Sequence, residues 1–292
     1  MDFEIISDKK CILGESPIWH DTKKNFIWLD YLKGELFFFD PYEKNLIIKQ
    51  LELETPLGGV ALYNQSDSLI VSHKNGLSIL NVNTFKYSNF VHPESQKKDV
   101  IYNDLKIDRD NNLWISTSHI DEKEDKGSLW SLDKNKTIRL IDTGFKVSNG
   151  PGFSPCGKKI YFNDTFSYKT FLYQFDNEPN YKINKELFFK FEIQDGYPDG
   201  ITVDLDGNIW IAHWGSGIIT KQLPNGKIVS KFNLPSLNLT SLCFGGANYK
   251  NLVVTSATDG MDDKDWEFFP ESGKTFLISR DEKGIKENAY VT

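Results

Sequence analysis

One pattern limits this chain more than any other. A short apolar strand, a polar turn and a second strand with a large central residue recur along its whole length. The fullest copy runs Tyr197-Pro198-Asp199-Gly200-Ile201-Thr202-Val203-Asp204-Leu205-Asp206-Gly207-Asn208-Ile209-Trp210-Ile211-Ala212-His213. Its Asp-Gly-Asn turn between apolar runs is a strong hairpin signal. With Trp28, Ile70, Trp114, Tyr161, Trp210 and Val253 as the central residues of successive second strands, the intervals are 42, 44, 47, 49 and 43 residues. A period in the forties with four short strands per unit is propeller spacing. Third strands follow each hairpin, as in Glu35-Leu36-Phe37-Phe38-Phe39 and Ser128-Leu129-Trp130-Ser131-Leu132.

Six such units fit 292 residues. The expected fold is therefore all-β: a six-bladed β-propeller of four-stranded blades around a central channel, in one domain spanning 1–292. The strand around Phe3-Glu4-Ile5-Ile6 is expected to join the last blade and close the ring, which removes a sheet edge. Trp19, Trp28, Trp114 and Trp210 are expected in blade cores, and the acidic, aromatic stretch 259–273 is expected to form a loop over part of one face.

Composition narrows the partners. A net charge of −7 argues against nucleic acid or an anionic membrane surface. Cys11, Cys156 and Cys243 have no metal-binding or redox spacing and are expected to be reduced and mostly buried. The opening residues MDFEIISDKK do not read as a signal peptide, and no apolar run has the length of a membrane helix. A cytoplasmic protein, monomeric or weakly self-associating, with a small-molecule partner is expected.

The residues ahead of each hairpin carry the chemistry. Glu15 lies 13 residues before Trp28, Asn103 lies 11 before Trp114, Asn149 lies 12 before Tyr161, and Asp199 lies 11 before Trp210. These are read as equivalent positions in the repeat, and equivalent loop positions on one face of a radial array surround the axis, so four oxygen-bearing side chains can converge there. Gly59 and Leu242 hold that place in the other two units. Carboxylates gathered in a poorly solvated funnel repel one another unless a cation or a proton intervenes. Oxygen-only ligands favour Ca, Mg or Mn, and Zn also accepts carboxylate oxygen. The competing reading is plain: Asn149-Gly150 and Asp199-Gly200 are also ordinary turn dipeptides. Glu15 has no such turn preference. His213 ends the strand after Trp210 and serves equally well as a site residue or a satisfied core histidine.

At these residues the chain resembles the SMP-30/gluconolactonase/luciferin-regenerating-enzyme family. The carrying motifs are Gly14-Glu15-Ser16-Pro17-Ile18-Trp19, Asn103-Asp104-x-Lys106-Ile107-Asp108, Ser148-Asn149-Gly150-Pro151-Gly152-Phe153-Ser154-Pro155, and Pro198-Asp199-Gly200-x-x-Val203-Asp204-x-Asp206-Gly207-x-Ile209-Trp210. The resemblance implies one divalent cation (Ca, Zn, Mn or Mg) held by Glu15, Asn149 and Asp199, with Asn103 beside it. It implies hydrolysis of a lactone ring, with Asp199 as general base. Sugar-lactonase members carry a substrate-binding Arg where this chain has Ile101, and a Glu that aligns with Asp121. Ile cannot supply a guanidinium's forked donors, so a less hydroxylated or uncharged lactone, or another ester, becomes plausible. Two rival readings stand beside this one: a phosphotriesterase- or aryl-esterase-like hydrolase on the same site, and a non-catalytic, metal-stabilised binding propeller.

Overall fold

The computed structural model describes residues 2–64, 67–175 and 183–292. Six sheets are arranged as the six blades of a β-propeller; the four antiparallel strands of blades 1 to 5 run outward in chain order, and in blade 6 the first strand of the chain takes the outermost place. The innermost strands are Gly14–His20, Val60–Tyr63, Val100–Ile107, Ser148–Phe153, Tyr197–Val203 and Asn238–Gly245. Each touches the next, and Asn238–Gly245 of blade 6 returns to Gly14–His20 of blade 1, so the inner strands form a closed ring. Blade 6 is completed by Glu4–Ser7, which pairs antiparallel with Thr275–Ser279. Chain ends from opposite directions thus share one sheet, and the ring closes without an open seam.

Burial falls from the axis outward. Every residue of Gly14–His20 is buried, whereas Asn45–Gln50, on the outside of the same blade, has none. A strand covered on both faces reads as a continuous apolar run, and an outer strand mixes polar with apolar residues. The core is a set of inter-blade layers. Between blades 5 and 6, for example, Trp210, Leu242, Phe244, Leu252 and Phe276 pack together. Trp19, Trp28, Trp114 and Trp210 are all buried, as expected of blade core.

The hairpin turns explain the Asp-rich spacing. Asp204 accepts hydrogen bonds from the backbone N–H groups of Asp206 and Asn208, and from the indole N–H of Trp210 at 3.0 Å. Asp108 does the same for Asp110, Asn112 and Trp114 in blade 3, where the indole bond is 2.8 Å. One carboxylate therefore shapes the turn and satisfies the buried tryptophan's only donor.

Two features go beyond the repeat. The last residues, from Gly284 on, cross the end of the channel where these hairpin turns lie. Asp204 bridges to Gly284, the Asn288 amide donates to Asp108 O, and Ala289–Tyr290 adds a parallel fifth strand to the inner edge of blade 2. The 259–273 stretch contains a one-and-a-half-turn helix, Asp263–Phe268, capped by Asp262. Among the described residues no helix is long and apolar enough to cross a membrane. Cys11 and Cys243 are buried free thiols, but Cys156 is exposed because it lies in the hairpin turn of blade 4.

Candidate functional site

The site is built on a repeated defect. In five blades the inner strand carries one extra residue against its neighbour: between Glu15 and Ile18, Tyr102 and Leu105, Asn149 and Gly152, Pro198 and Ile201, and Leu239 and Leu242. Such a bulge breaks the ladder and re-aims side chains. Glu15 and Asn149 hold the last paired position before the bulge, and Asn103 and Asp199 the first bulged one. The four come from two adjacent positions rather than one, which is why their spacings from the marker residues differ. In blade 6 the register places Leu239 and Thr240 there, not Leu242. The Thr240 hydroxyl is already committed to Gly14 O and to Thr255. Asn149-Gly150 and Asp199-Gly200 therefore lie within strands, not at hairpin turns. Gly150 is needed for its φ of +94°, and Gly200 because a Cβ there would stand 2.7 Å from Ser241 Cα.

Hydrogen bonds between blades fix the orientation of these groups. The Asn149 amide nitrogen donates to Thr165 Oγ1 at 2.8 Å, and that hydroxyl donates to Pro198 O at 2.9 Å. With its nitrogen held, Asn149 presents Oδ1 to the opposite side, where the Asn103 amide donates to it at 2.8 Å. Asn103 also donates to Ser148 O at 2.7 Å. The Asn163 amide holds Asp199 O at 2.6 Å. Blades 3, 4 and 5 are tied together at their bulged ends by this one chain of bonds.

Three carboxylates share the mouth of the channel. Glu15, Asp199 and Asp104 are all buried. Asp104 accepts the Gly150 N–H at 2.7 Å, and its own N–H donates to Ser116. Burial pushes the Glu15 carboxyl well above the ordinary range, and Asp104 adds to the push. Burial raises Asp199 similarly, with Glu15, Asp104 and Glu122 contributing in that order. Asp104 itself is raised to about 6 by burial, against the opposing pull of the Gly150 N–H and Lys106. Tyr31 is buried in the apolar cluster between blades 1 and 2, and burial followed by the charges of Glu122, Glu15 and Asp104 keeps its phenol protonated.

The remaining predicted residues are placed differently. Ile101 is buried in an apolar cluster with Tyr31, Leu57 and Val60. Asp121 is exposed, and its N–H donates to the His119 ring. The neighbouring Glu122 is the acid whose charge reaches Asp199. Partial desolvation, and after it Asp259 of the 259–273 segment, raise the Glu122 carboxyl. His213 is wholly buried inside blade 5, bonded to Thr220 Oγ1 at 2.9 Å and edge-on to Phe191. The structure thus brings Glu15, Asn103, Asn149 and Asp199 to one mouth and leaves His213 in a blade core. Asp104, Lys106, Glu122 and Tyr31 were missed as site residues. Asp104 and Lys106 had a signal, since they continue the Asn103 motif, but Glu122 and Tyr31 sit in irregular segments that no repeat marks.

A family model described as the SMP-30/gluconolactonase/LRE-like region matches residues 13–258. The chain belongs to this family. Regucalcin of Xenopus laevis is 28% identical over 286 residues, covering 95% of this chain and 94% of its own length. A pentonolactonase of Haloferax volcanii is 28% identical and covers 86% of this chain and 84% of itself. A crystal structure of a calcium-binding regucalcin from Agrobacterium tumefaciens superposes with a TM-score of 0.92 at 23% identity, covering 99% of this chain and 97% of that one.

The residues present fit the divalent cation that membership implies. No ion pair joins Glu15 or Asp199 to a basic side chain among the described residues, although both carboxyls are buried. Asn149 Oδ1 is aimed by Thr165 and keeps a lone pair beyond the one that Asn103 uses. Among the described residues no three Asp, Glu, His or Cys side chains form a metal-holding group. The candidate set is instead two carboxylates and an amide, an all-oxygen set suited to a hard cation.

Proposed function

We propose that this chain is a divalent-cation-dependent lactonase. The observation that carries the reading is the buried pair Glu15 and Asp199, without ion-pair partners among the described residues, beside an amide oxygen held in place by Thr165. Glu15, Asn149 and Asp199 would hold the cation through side-chain oxygens. A bound divalent cation supplies Lewis-acid polarisation of an ester carbonyl and stabilises the developing negative charge.

The chain's own residues do the rest. Asp199 takes a proton from the attacking water at a carboxylate oxygen. The water oxygen bonds to the carbonyl carbon, the ring C–O bond breaks, and the proton passes to the departing alkoxide to give a hydroxy acid. Asn103, with both amide hydrogens committed to blade 4, presents its oxygen as an acceptor for a substrate hydroxyl. Asp121, exposed to solvent, would contribute a carboxylate to a substrate that reaches it. Ile101 offers a substrate no hydrogen-bond donor, which favours a lactone with few charged groups over a polyhydroxylated one.

The test is acid release by chelated protein from aldonolactones, simple alkyl lactones and an aryl ester, with Ca, Mg, Mn or Zn restored singly. Turnover of one lactone class that returns with metal supports the reading. Preference for the aryl ester would favour the esterase alternative, and silence with every metal would favour a binding protein. Asp199→Asn is expected to lower kcat by about 10²-fold or more while the protein stays folded. Near-normal turnover in that variant would remove Asp199 as the base.

A further inference from the structure

Beneath the three carboxylates, one basic side chain crosses the channel. Lys106 starts from the inner strand of blade 3, and its Nζ donates to Ile201 O on the inner strand of blade 5 at 3.3 Å. It lines two small cavities, each about 10 Å³ and so about one water in size. The upper one is bounded by Ser16, Asp104, Gly150 and Ser241, next to the bulges. The lower one is bounded by Val60, Ala61, Glu287 and Asn288, where the C-terminal residues cross the channel. Lys106 is therefore the partition between the site and the space below it. Among the described residues no carboxylate lies within ion-pair contact of its ammonium, in contrast to Lys23, Lys126 and Lys185 on the surface. A partly buried ammonium with a single carbonyl partner is costly unless nearby negative charge offsets it. Asp104 bounds the upper cavity with Lys106, beside the mouth that holds Glu15 and Asp199, and Glu287 bounds the lower one.

We propose that Lys106 is the internal countercharge of the site. Fixed across the channel, it is a positioning residue that balances one of the three carboxylates Glu15, Asp104 and Asp199 and leaves a charge matched to a doubly charged ion. Two consequences follow from Coulomb's law. Without the ammonium the empty site is destabilised by unopposed carboxylate repulsion, and removal of one carboxylate relieves it. The cation-loaded site without the ammonium favours a triply charged ion over a doubly charged one. The second consequence rests on the cation-site reading above, but the first does not.

The experiment is a double-mutant cycle on chelated protein, read by thermal and urea denaturation, with Lys106→Met, Asp104→Asn and the pair. Asn keeps the acceptor for the Gly150 N–H, so charge is the main change. The expected result is that K106M melts several degrees below the parent and that D104N/K106M recovers most of the loss. Additive effects would overturn the proposal. If K106M does not fold, folding of the double variant gives the expected answer and failure of both overturns it. Calorimetric titration with Ca²⁺ and Tb³⁺ gives the independent readout, one that a purely packing role would not move. The Tb³⁺ preference should rise roughly tenfold or more in K106M and stay at the parental value in K106R. An unchanged preference with measurable binding would also overturn the proposal. Failure of every variant to bind either ion would sink the cation reading while the cycle still decides the countercharge.

Discussion

At the scale of single residues, the site depends on groups that never touch a substrate. Thr165 accepts from Asn149 and donates to Pro198 O, so it orients one candidate ligand and anchors the strand that carries another. Thr165→Val keeps the shape and deletes both bonds. Cation affinity is expected to fall by about 10- to 100-fold, the usual effect of losing an outer-shell partner. Isothermal titration checks this, and unchanged affinity would deny Thr165 that role. Gly200 illustrates a different constraint. An added Cβ would meet Ser241 Oγ at 2.3 Å and Ser241 Cα at 2.7 Å, across the boundary between blades 5 and 6. Gly200→Ala is expected to cost about 1–3 kcal/mol in urea denaturation, as overpacking does. Glu15, Asn103, Asn149 and Asp199 were legible in the sequence because they precede a hairpin at a nearly constant distance. The equivalent in blade 6 was misread as Leu242, because counting from the second strand assumes equal hairpin lengths. The register at the bulge shows Leu239 and Thr240 instead.

At the scale of the strand pair, the same position serves structure in one blade and chemistry in another. His213 lies near the end of its strand, opposite Pro198 and close to the site in sequence register, yet its ring turns into blade 5. Burial lowers its pKa to about 4. The unfolded chain therefore takes up a proton below about 6.5, while the folded one resists until about 4. The stability due to the neutral ring is complete above about 6.5 and is lost as pH falls toward 4, by up to roughly 3 kcal/mol. Urea denaturation of the parent and of His213→Gln at pH 7.5 and 4.5 checks it. The parent should lose more stability between the two values than the variant, and parallel losses would refute the assignment. Alternation along a strand was legible. Which face a terminal residue turns to was not, because a bulge two residues away on the partner strand shifts the face that continues.

At the scale of the whole molecule, closure is the decisive event. The first strand pairs with Thr275–Ser279, about 270 residues away in the chain, and completes blade 6. Removing residues 1–7 should leave a ring with an unpaired strand. Expected outcomes are a lower unfolding temperature and growth of scattering on heating, since an exposed edge templates association. A truncated chain that melts like the parent would show that the seam adds little. Lys106 shows why the interior of the ring was hard to foresee. It shares a motif with Asn103, but its carbonyl partner is Ile201, two blades onward.

What the sequence determined by itself was the repeat, and with it the number of blades, the seam at the N-terminus and the four oxygen-bearing residues at the bulged ends. These are local or periodic properties: alternation, turn chemistry and spacing are written within a few residues of each feature. Tertiary structure alone decided that Asp104 joins the carboxylates and that Lys106 reaches across the channel to Ile201 O. It also decided that Glu122, rather than Asp121, bears on Asp199, that His213 turns away, and that the C-terminal residues cross the far end. Each of these depends on which side chains from distant blades meet at one axis. That meeting is set by ring closure and by one-residue bulges, and neither leaves a periodic trace in the chain.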